Sequence, residues 1–177
     1  TDASKVTAVA TNVGNVGSIT ISEVKQLATS ASFVSASTLT NYASNSTLSA
    51  VVGQELSIQG TSFKVEDGET IESFLNKVNK SGVGVNMFYD SYTGKFSIQS
   101  KNTGSASISL DGELGVSFGF LTSQEVDGKT TYKKNVMAIQ NDGKNAILTI
   151  NGVEDTERSS NTFTENGVTF TIKATFK

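Results

Sequence analysis

The chain has 177 residues, a formal net charge of −3, and neither cysteine, histidine nor proline. Those absences exclude Ser-His-Asp and Cys-His nucleophiles, disulfide staples, thiolate metal sites and the common zinc sites. No basic run is longer than Lys133-Lys134, so the basic stripe that displaces counterions from nucleic-acid phosphates is missing. No apolar run approaches the ~20 residues that span a bilayer, and no secretory signal opens the chain. The first residue is Thr, which suggests a piece excised from a longer protein. The length suits one large domain or two small ones. Hydrophobic residues are only 36% and charged residues 18%. Ser, Thr, Asn and Gly fill the balance, as in extracellular β-rich modules.

In chain order, residues 4–10 alternate, with Val6, Ala8 and Ala10 on one face. Ile19 and Ile21 repeat the pattern after Gly14 and Gly17, so two short strands are predicted. Val24, Leu27 and Ala28 fall at helical spacing and suggest a single turn of helix. From Ser30 to Ala50 the chain is almost entirely Ser, Thr, Ala and Asn. Leu39, Tyr42 and Leu48 are its anchors, and a loop is expected. Leu56 and Ile58 alternate, as do Phe63 and Val65, around a Gly60 turn.

Residues 69–80 predict a helix. Ile71, Phe74, Leu75 and Val78 make one apolar stripe. Glu69 and Glu72 lie at its start and Lys77 and Lys80 at its end, as the helix dipole favours. Asp67 or Thr70 can cap it, and Gly82 supplies a left-handed stop. Val83, Val85 and Met87 then alternate, followed by a turn at Asp90–Gly94, by Phe96 and Ile98, and by Ala106, Ile108 and Leu110. Gly112–Phe120 reads as a loop or bulged strand. Ala146, Leu148 and Ile150 lead to Asn151-Gly152, a strong hairpin signal. Asn166-Gly167 introduces a strand in which Val168, Phe170, Ile172, Ala174 and Phe176 alternate.

The chemistry-bearing candidates are sparse. Glu66, Asp67, Glu69 and Glu72 form one carboxylate cluster, and Glu154, Asp155 and Glu157 another. Neither has the alternating ligand spacing of a Ca²⁺ loop, so a helix N-terminus and a solvated hairpin are the plainer readings. Gly82-Val83-Gly84 begins like a phosphate-binding fingerprint. Met87 stands where its third Gly is needed, however, and the order is helix then strand. Ser and Lys are too common for any one pair to stand out as a dyad. Asn45-Ser46-Thr47 is a formal glycosylation sequon and marks an accessible loop. No catalytic, cofactor-binding or metal-binding residue is assigned, and the chain is not expected to be an enzyme.

Three stretches resemble one family, the flagellar hook-associated protein 2 or filament cap family. Residues 4–32 (SKVTAVATNVGNVGSITISEVKQLATSAS) resemble its entry into the head region, including Gln26-Leu27-Ala28. Residues 69–104 are similar to the flagellin-type "IN" motif, with Val78-Asn79 in place of Ile-Asn. Residues 145–175 resemble its return segment, with Arg158–Thr162 (RSSNT) and a Gly-Val-Thr strand. The resemblance implies a mainly β fold with a minor α part, built as two small β-rich domains. One is discontinuous, residues 1–50 plus 131–177; the other, residues 51–130, is inserted in it and carries the helix. It also implies a parent that forms a ring at the filament tip through terminal helices lying outside this chain. That parent would promote flagellin assembly for motility. It would be exported by the flagellar apparatus without a cleaved signal, to the extracellular tip of the flagellum.

By this reading flagellin is the partner, with no nucleic acid, no membrane insertion and no cofactor. The fragment alone is expected to be mostly monomeric at micromolar concentration. The alternatives are an extracellular adhesion or glycan-binding module, with Tyr42, Tyr89, Tyr92 and Tyr132 as stacking platforms against a host surface, and the outer domain of a flagellin.

Overall fold

A computed structural model of the chain describes residues 2–10, 18–36 and 43–177. Gly14, Gly17, Leu39 and Tyr42 lie outside the described residues. The elements are β1 (Val6–Ala10), β2 (Ile21–Gln26), β3 (Ser30–Val34), β4 (Glu55–Ile58), β5 (Thr61–Lys64), α1 (Ile71–Lys80), β6 (Val85–Asp90), β7 (Lys95–Thr103) and β8 (Leu110–Asp111). They continue with α2 (Glu113–Ser117), β9 (Leu121–Val126), β10 (Lys129–Lys134), β11 (Ile139–Asn141), β12 (Ala146–Ile150), β13 (Val153–Arg158), β14 (Thr162–Glu165) and β15 (Val168–Ile172). The fold is therefore mainly β with a minor α part, as the sequence predicts. The contacts divide it into two compact units. The first comprises Thr1–Ala31, Asn102–Ala106 and Asp142–Lys177; the second comprises Ser32–Lys101 and Ser107–Asn141.

The first unit holds two three-stranded sheets, β1-β15-β14 and β13-β12-β2. Their buried faces meet in one core of Val6, Val24, Ala28, Ala146, Leu148, Ile150, Phe170 and Ile172. Burial of such side chains is worth roughly 1.5–3 kcal/mol each. Two hairpins close on Asn-Gly: Asn151 and Gly152 have φ of 50° and 79°, Asn166 and Gly167 48° and 76°. Positive φ at both turn positions matches the twist of the flanking strands, and Asn and Gly tolerate it.

Two expectations fail in this unit. Val24, Leu27 and Ala28 do not form a helical turn. Val24 lies inside β2, where it pairs with Leu148, and its amide and carbonyl both bond Phe176. A sheet partner on each side outweighs a three-residue helical spacing. The last strand also stops at Ile172, and Phe176 leaves it to bridge β2.

In the second unit a four-stranded sheet, β11-β3-β7-β6, lies with a three-stranded sheet, β5-β4-β8, and a separate hairpin, β9–β10. The core is aromatic. Phe96 stacks on Phe118 with centroids 4.1 Å apart, and Phe74 of α1 meets Phe118 edge-on at 5.6 Å. Phe33 meets Phe120 edge-on at 5.3 Å. The predicted helix is α1, which buries Ile71, Phe74 and Val78. Thr70 is its cap: the Ser73 amide donates to Thr70 Oγ1, and Ser73 Oγ accepts from the Thr70 amide. Gly82, at φ +81°, follows the last helical residues as the left-handed stop.

Three expectations are corrected here. Ser30–Ala50 is not all loop, because β3 places the buried Ala31 and Phe33 between Ser residues. Gly112–Phe120 contains α2, so the fold has a second short helix. Gly115 is there for space: a Cβ on it would come within 2.6 Å of Leu121 Cδ1. The stretch around Ala106 and Ile108 forms a strand only at Leu110–Asp111, although Ile108 is buried. The β9–β10 hairpin is an element beyond those predicted.

Asn79, the Asn of the IN-like motif, closes the outer edge of β6. Its carboxamide donates to Met87 O at 2.9 Å and accepts from Met87 N at 2.6 Å, as a neighbouring strand would. An open strand edge invites pairing with another chain. Asn79→Asp removes the donor and sets a carboxylate against the Met87 carbonyl. We expect a loss of about 2 kcal/mol in urea unfolding, with Asn79→Ala close behind; an unchanged midpoint would show that the edge needs no cover.

Candidate functional site

Every candidate from the sequence except Tyr42 can be placed among the described residues. In the first carboxylate cluster, Glu69 is occupied structurally. Its side chain is only 10% exposed, and Oε2 accepts from Lys77 Nζ at 2.8 Å and from the Glu66 amide at 2.9 Å. The helix N-terminus beside it has its donors taken. Ile71 N bonds Ser46 O, Glu72 N bonds Ser44 O, and Ser73 N bonds Thr70 Oγ1. The backbone on either side of Asn45 thus serves to cap α1, while Asn45 itself is exposed.

The second cluster lies along β13. Asp155 pairs with Lys25 at 2.7 Å, and Glu157 accepts from Asn145 Nδ2 at 2.7 Å. Gly82-Val83-Gly84 is the bend from helix to strand, with φ of +81° at Gly82 and +85° at Gly84. No group of three or more carboxylates among the described residues is close enough to hold a metal ion. No helix among them is long and apolar enough to cross a membrane.

The shifted titratable groups move further into their charged forms. The Ser4 hydroxyl and amide lower Asp2, Asp155 raises Lys25, and the Thr93 hydroxyl and Tyr92 amide lower Asp90. An acid or base poised for catalysis is shifted the other way, toward neutral pH. The tyrosines divide. Tyr89 is buried against Phe96, with centroids 4.7 Å apart. Tyr132 is half-buried on β10. Tyr92 is 96% exposed at the tip of the β6–β7 turn. Asp90 fixes that turn by accepting from the Tyr92 amide and the Thr93 hydroxyl. Phe88, two residues before Asp90, is also exposed.

What the recognised stretches do bring together is backbone. Asn161, within Arg158–Thr162, donates to Ala28 O at 2.9 Å and accepts from Ala28 N at 2.7 Å. Gln26 Nε2 donates to Asn145 O at 2.7 Å. The entry segment and the return segment are therefore tied to each other in the first unit, as Asn79 ties α1 to β6 in the second. These polar residues hold the fold together.

Such an arrangement is built of two β-rich units, and it has the fold of domains of a flagellar cap protein. The crystal structure of the D2-D3 domains of the flagellar cap protein FliD from Serratia marcescens matches 98% of this chain and 95% of that one, with a TM-score of 0.69. At 19% identity, that likeness shows the fold. Flagellar hook-associated protein 2 of Thermotoga maritima (strain ATCC 43589 / DSM 3109 / JCM 10099 / NBRC 100826 / MSB8) is 27% identical over 123 residues, 70% of this chain. The chain spans about a fifth of the length of that curated relative, 20%. No family model matches the chain. The resemblance to the flagellar hook-associated protein 2 family is borne out by sequence similarity and by fold.

Proposed function

We propose that the chain is the head portion of a flagellar filament cap and acts as a structural assembly factor, not as an enzyme. The observation that carries this reading is the two-unit fold shared with the FliD D2-D3 domains over nearly the whole chain. In this proposal the parent protein sits at the extracellular tip of the filament, assembles into a ring through segments outside this chain, and promotes flagellin polymerisation. In this reading one domain is discontinuous in sequence and the other is inserted in it. Their exposed faces make weak, exchangeable contacts with incoming subunits. Deleting residues 1–177 from the parent, with its remaining segments intact, should shorten filaments and release unpolymerised flagellin. Filaments of normal length and number in that mutant would overturn the reading.

A second reading is favoured by one observation. Tyr92 stands free of the surface on a rigid turn, close in sequence to the exposed Phe88. Exposed aromatic faces suit stacking on the apolar side of sugar rings, so adhesion to a glycan-bearing surface is the alternative role. A glycan array tests it: a signal that Tyr92→Ala abolishes supports adhesion, and no signal from the intact chain excludes it.

A further inference from the structure

We propose that the tip of the β9–β10 hairpin is a processing site, at which a trypsin-like serine protease cuts the Lys129–Thr130 bond, and that the nicked chain stays together as one folded molecule. All 14 Lys and Arg residues fall among the described residues, so every bond open to such a protease has a known setting. Most of those settings are closed. Lys77 and Lys80 lie in α1, and Lys64 precedes the fully buried Val65. Lys95 is on β7, between β3 and β6. Lys25 is on β2, which has β12 on one side and the Phe176 bridge on the other. The amides of Lys101 and Lys144 donate to the Gly84 and Thr29 carbonyls, and Arg158 pairs with Glu165 at 2.9 Å. Cuts after Lys5 or Lys173 only trim the ends.

The hairpin differs from all of these. A two-stranded hairpin alone is marginal in water, and among the described residues β9 and β10 belong to no larger sheet. Only Leu121, at the base, is buried, and Ser123 to Thr130 are exposed without a break. Ala36, whose amide bonds the Gly119 carbonyl, stands at that base. Lys129 pairs with Val126 at the other end of the ladder, about 17 Å away at the rise of a strand. The turn between them is Asp127 and Gly128, with φ of 51° and 73°; exposed tips of such small, polar residues are where chains are nicked. A protease binds its substrate extended, so β10 must first leave β9. Opening the tip uncovers no core residue and therefore costs far less than unfolding either unit. Water's oxygen then joins the Lys129 carbonyl carbon and the C–N bond breaks. The proton shed by the new acid ends on the Thr130 nitrogen, leaving a carboxylate on one piece and an ammonium on the other.

The two pieces remain joined because three strand pairings cross the cut: β1 with β15, β2 with β12, and β3 with β11. The core of the first unit draws Val6 and Val24 from one piece and Leu148, Phe170 and Ile172 from the other. Limited trypsin digestion of the 177-residue chain tests this. Mass spectrometry should place the first internal cut at Lys129–Thr130. A denaturing gel should show Thr1–Lys129 and Thr130–Lys177, while gel filtration shows one peak at the position of the intact chain. The cutting rate should be flat in urea below the unfolding transition, since opening the tip exposes little surface. Replacing Lys129, Lys133 and Lys134 together by Gln should let the chain persist about tenfold longer, because the remaining sites wait on wider unfolding. Lys80→Gln, at an exposed position of α1, should leave the rate unchanged. A first internal cut elsewhere, a rate that climbs with urea as steeply as global unfolding, or separation of the pieces on gel filtration would overturn the proposal. None of these results bears on the cap reading, which the deletion tests separately.

Discussion

Phe96→Ala is expected to cost about 3–5 kcal/mol and to take most of the second unit's stability with it. The ring is fully buried near the middle of that core. It stacks on Phe118 at 4.1 Å, tilts against Tyr89 at 4.7 Å and lies 6.5 Å from Phe120. Truncation empties the space between all three at once. Two of those partners, Phe118 and Phe120, flank Gly119, which holds a φ of +79°, so that segment is poorly placed to collapse inward. Phe96 is also tied through its backbone: its amide donates to Ser35 Oγ and its carbonyl accepts from Ser35 N, both at 2.9 Å. Urea unfolding measures the loss. Phe96→Leu is the comparison and should retain more than half of what the Ala variant forfeits. A loss below about 1 kcal/mol for Phe96→Ala would mean that the aromatic stack does not set the stability of this unit.

Gly143→Ala should be nearly as damaging to the first unit, for the opposite reason. Here a single methyl group has nowhere to go. A Cβ at Gly143 would lie 2.2 Å from the Gly104 carbonyl oxygen and 2.9 Å from that of Thr29. Both obstacles are backbone atoms, and the second is already committed. The Thr29 carbonyl accepts from Gly104 N and Lys144 N, and the Gly143 amide donates to Ala106 O at 2.7 Å. Overpacking usually costs about 1–3 kcal/mol, and with main chain on both sides the upper end is expected. Gly128→Ala is the control. It has φ of +73° but open space around it, so it should cost about 1–2 kcal/mol from backbone strain alone. Equal losses in the two variants would show that the backbone around Gly143 yields.

The elements that could be read from the sequence are those whose burial is one-sided. α1 shows a stripe, a cap and a stop because one face is packed and the other is wet. The Asn-Gly hairpins show because two φ values must be positive. β9 and β10 left no alternation to find, since neither face is buried beyond the base; Asp127-Gly128, with φ of 51° and 73°, was the available signal. α2 is a single turn with a glycine inside it, and that glycine answers to Leu121, a constraint visible only in three dimensions. β3 did carry a period of two through Ala31 and Phe33, diluted by serines. The return of Asn102–Ala106 to the first unit has no local signature, because it rests on contacts to Thr29, Asn145 and Ser159. The carboxylates were legible as dipole and hairpin features.

The pairing of β1 with β15 carries a consequence for time as well as for space. Val6 lies opposite Ile172, almost the whole sequence away. A strand emerging first must wait for one emerging last, while β4, β5, α1, β6 and much of β7 can meet near neighbours soon after they appear. Closing so long a loop costs entropy, and non-local pairing slows folding. The first unit should therefore be the last to gain protection during refolding, although it contains the beginning of the chain.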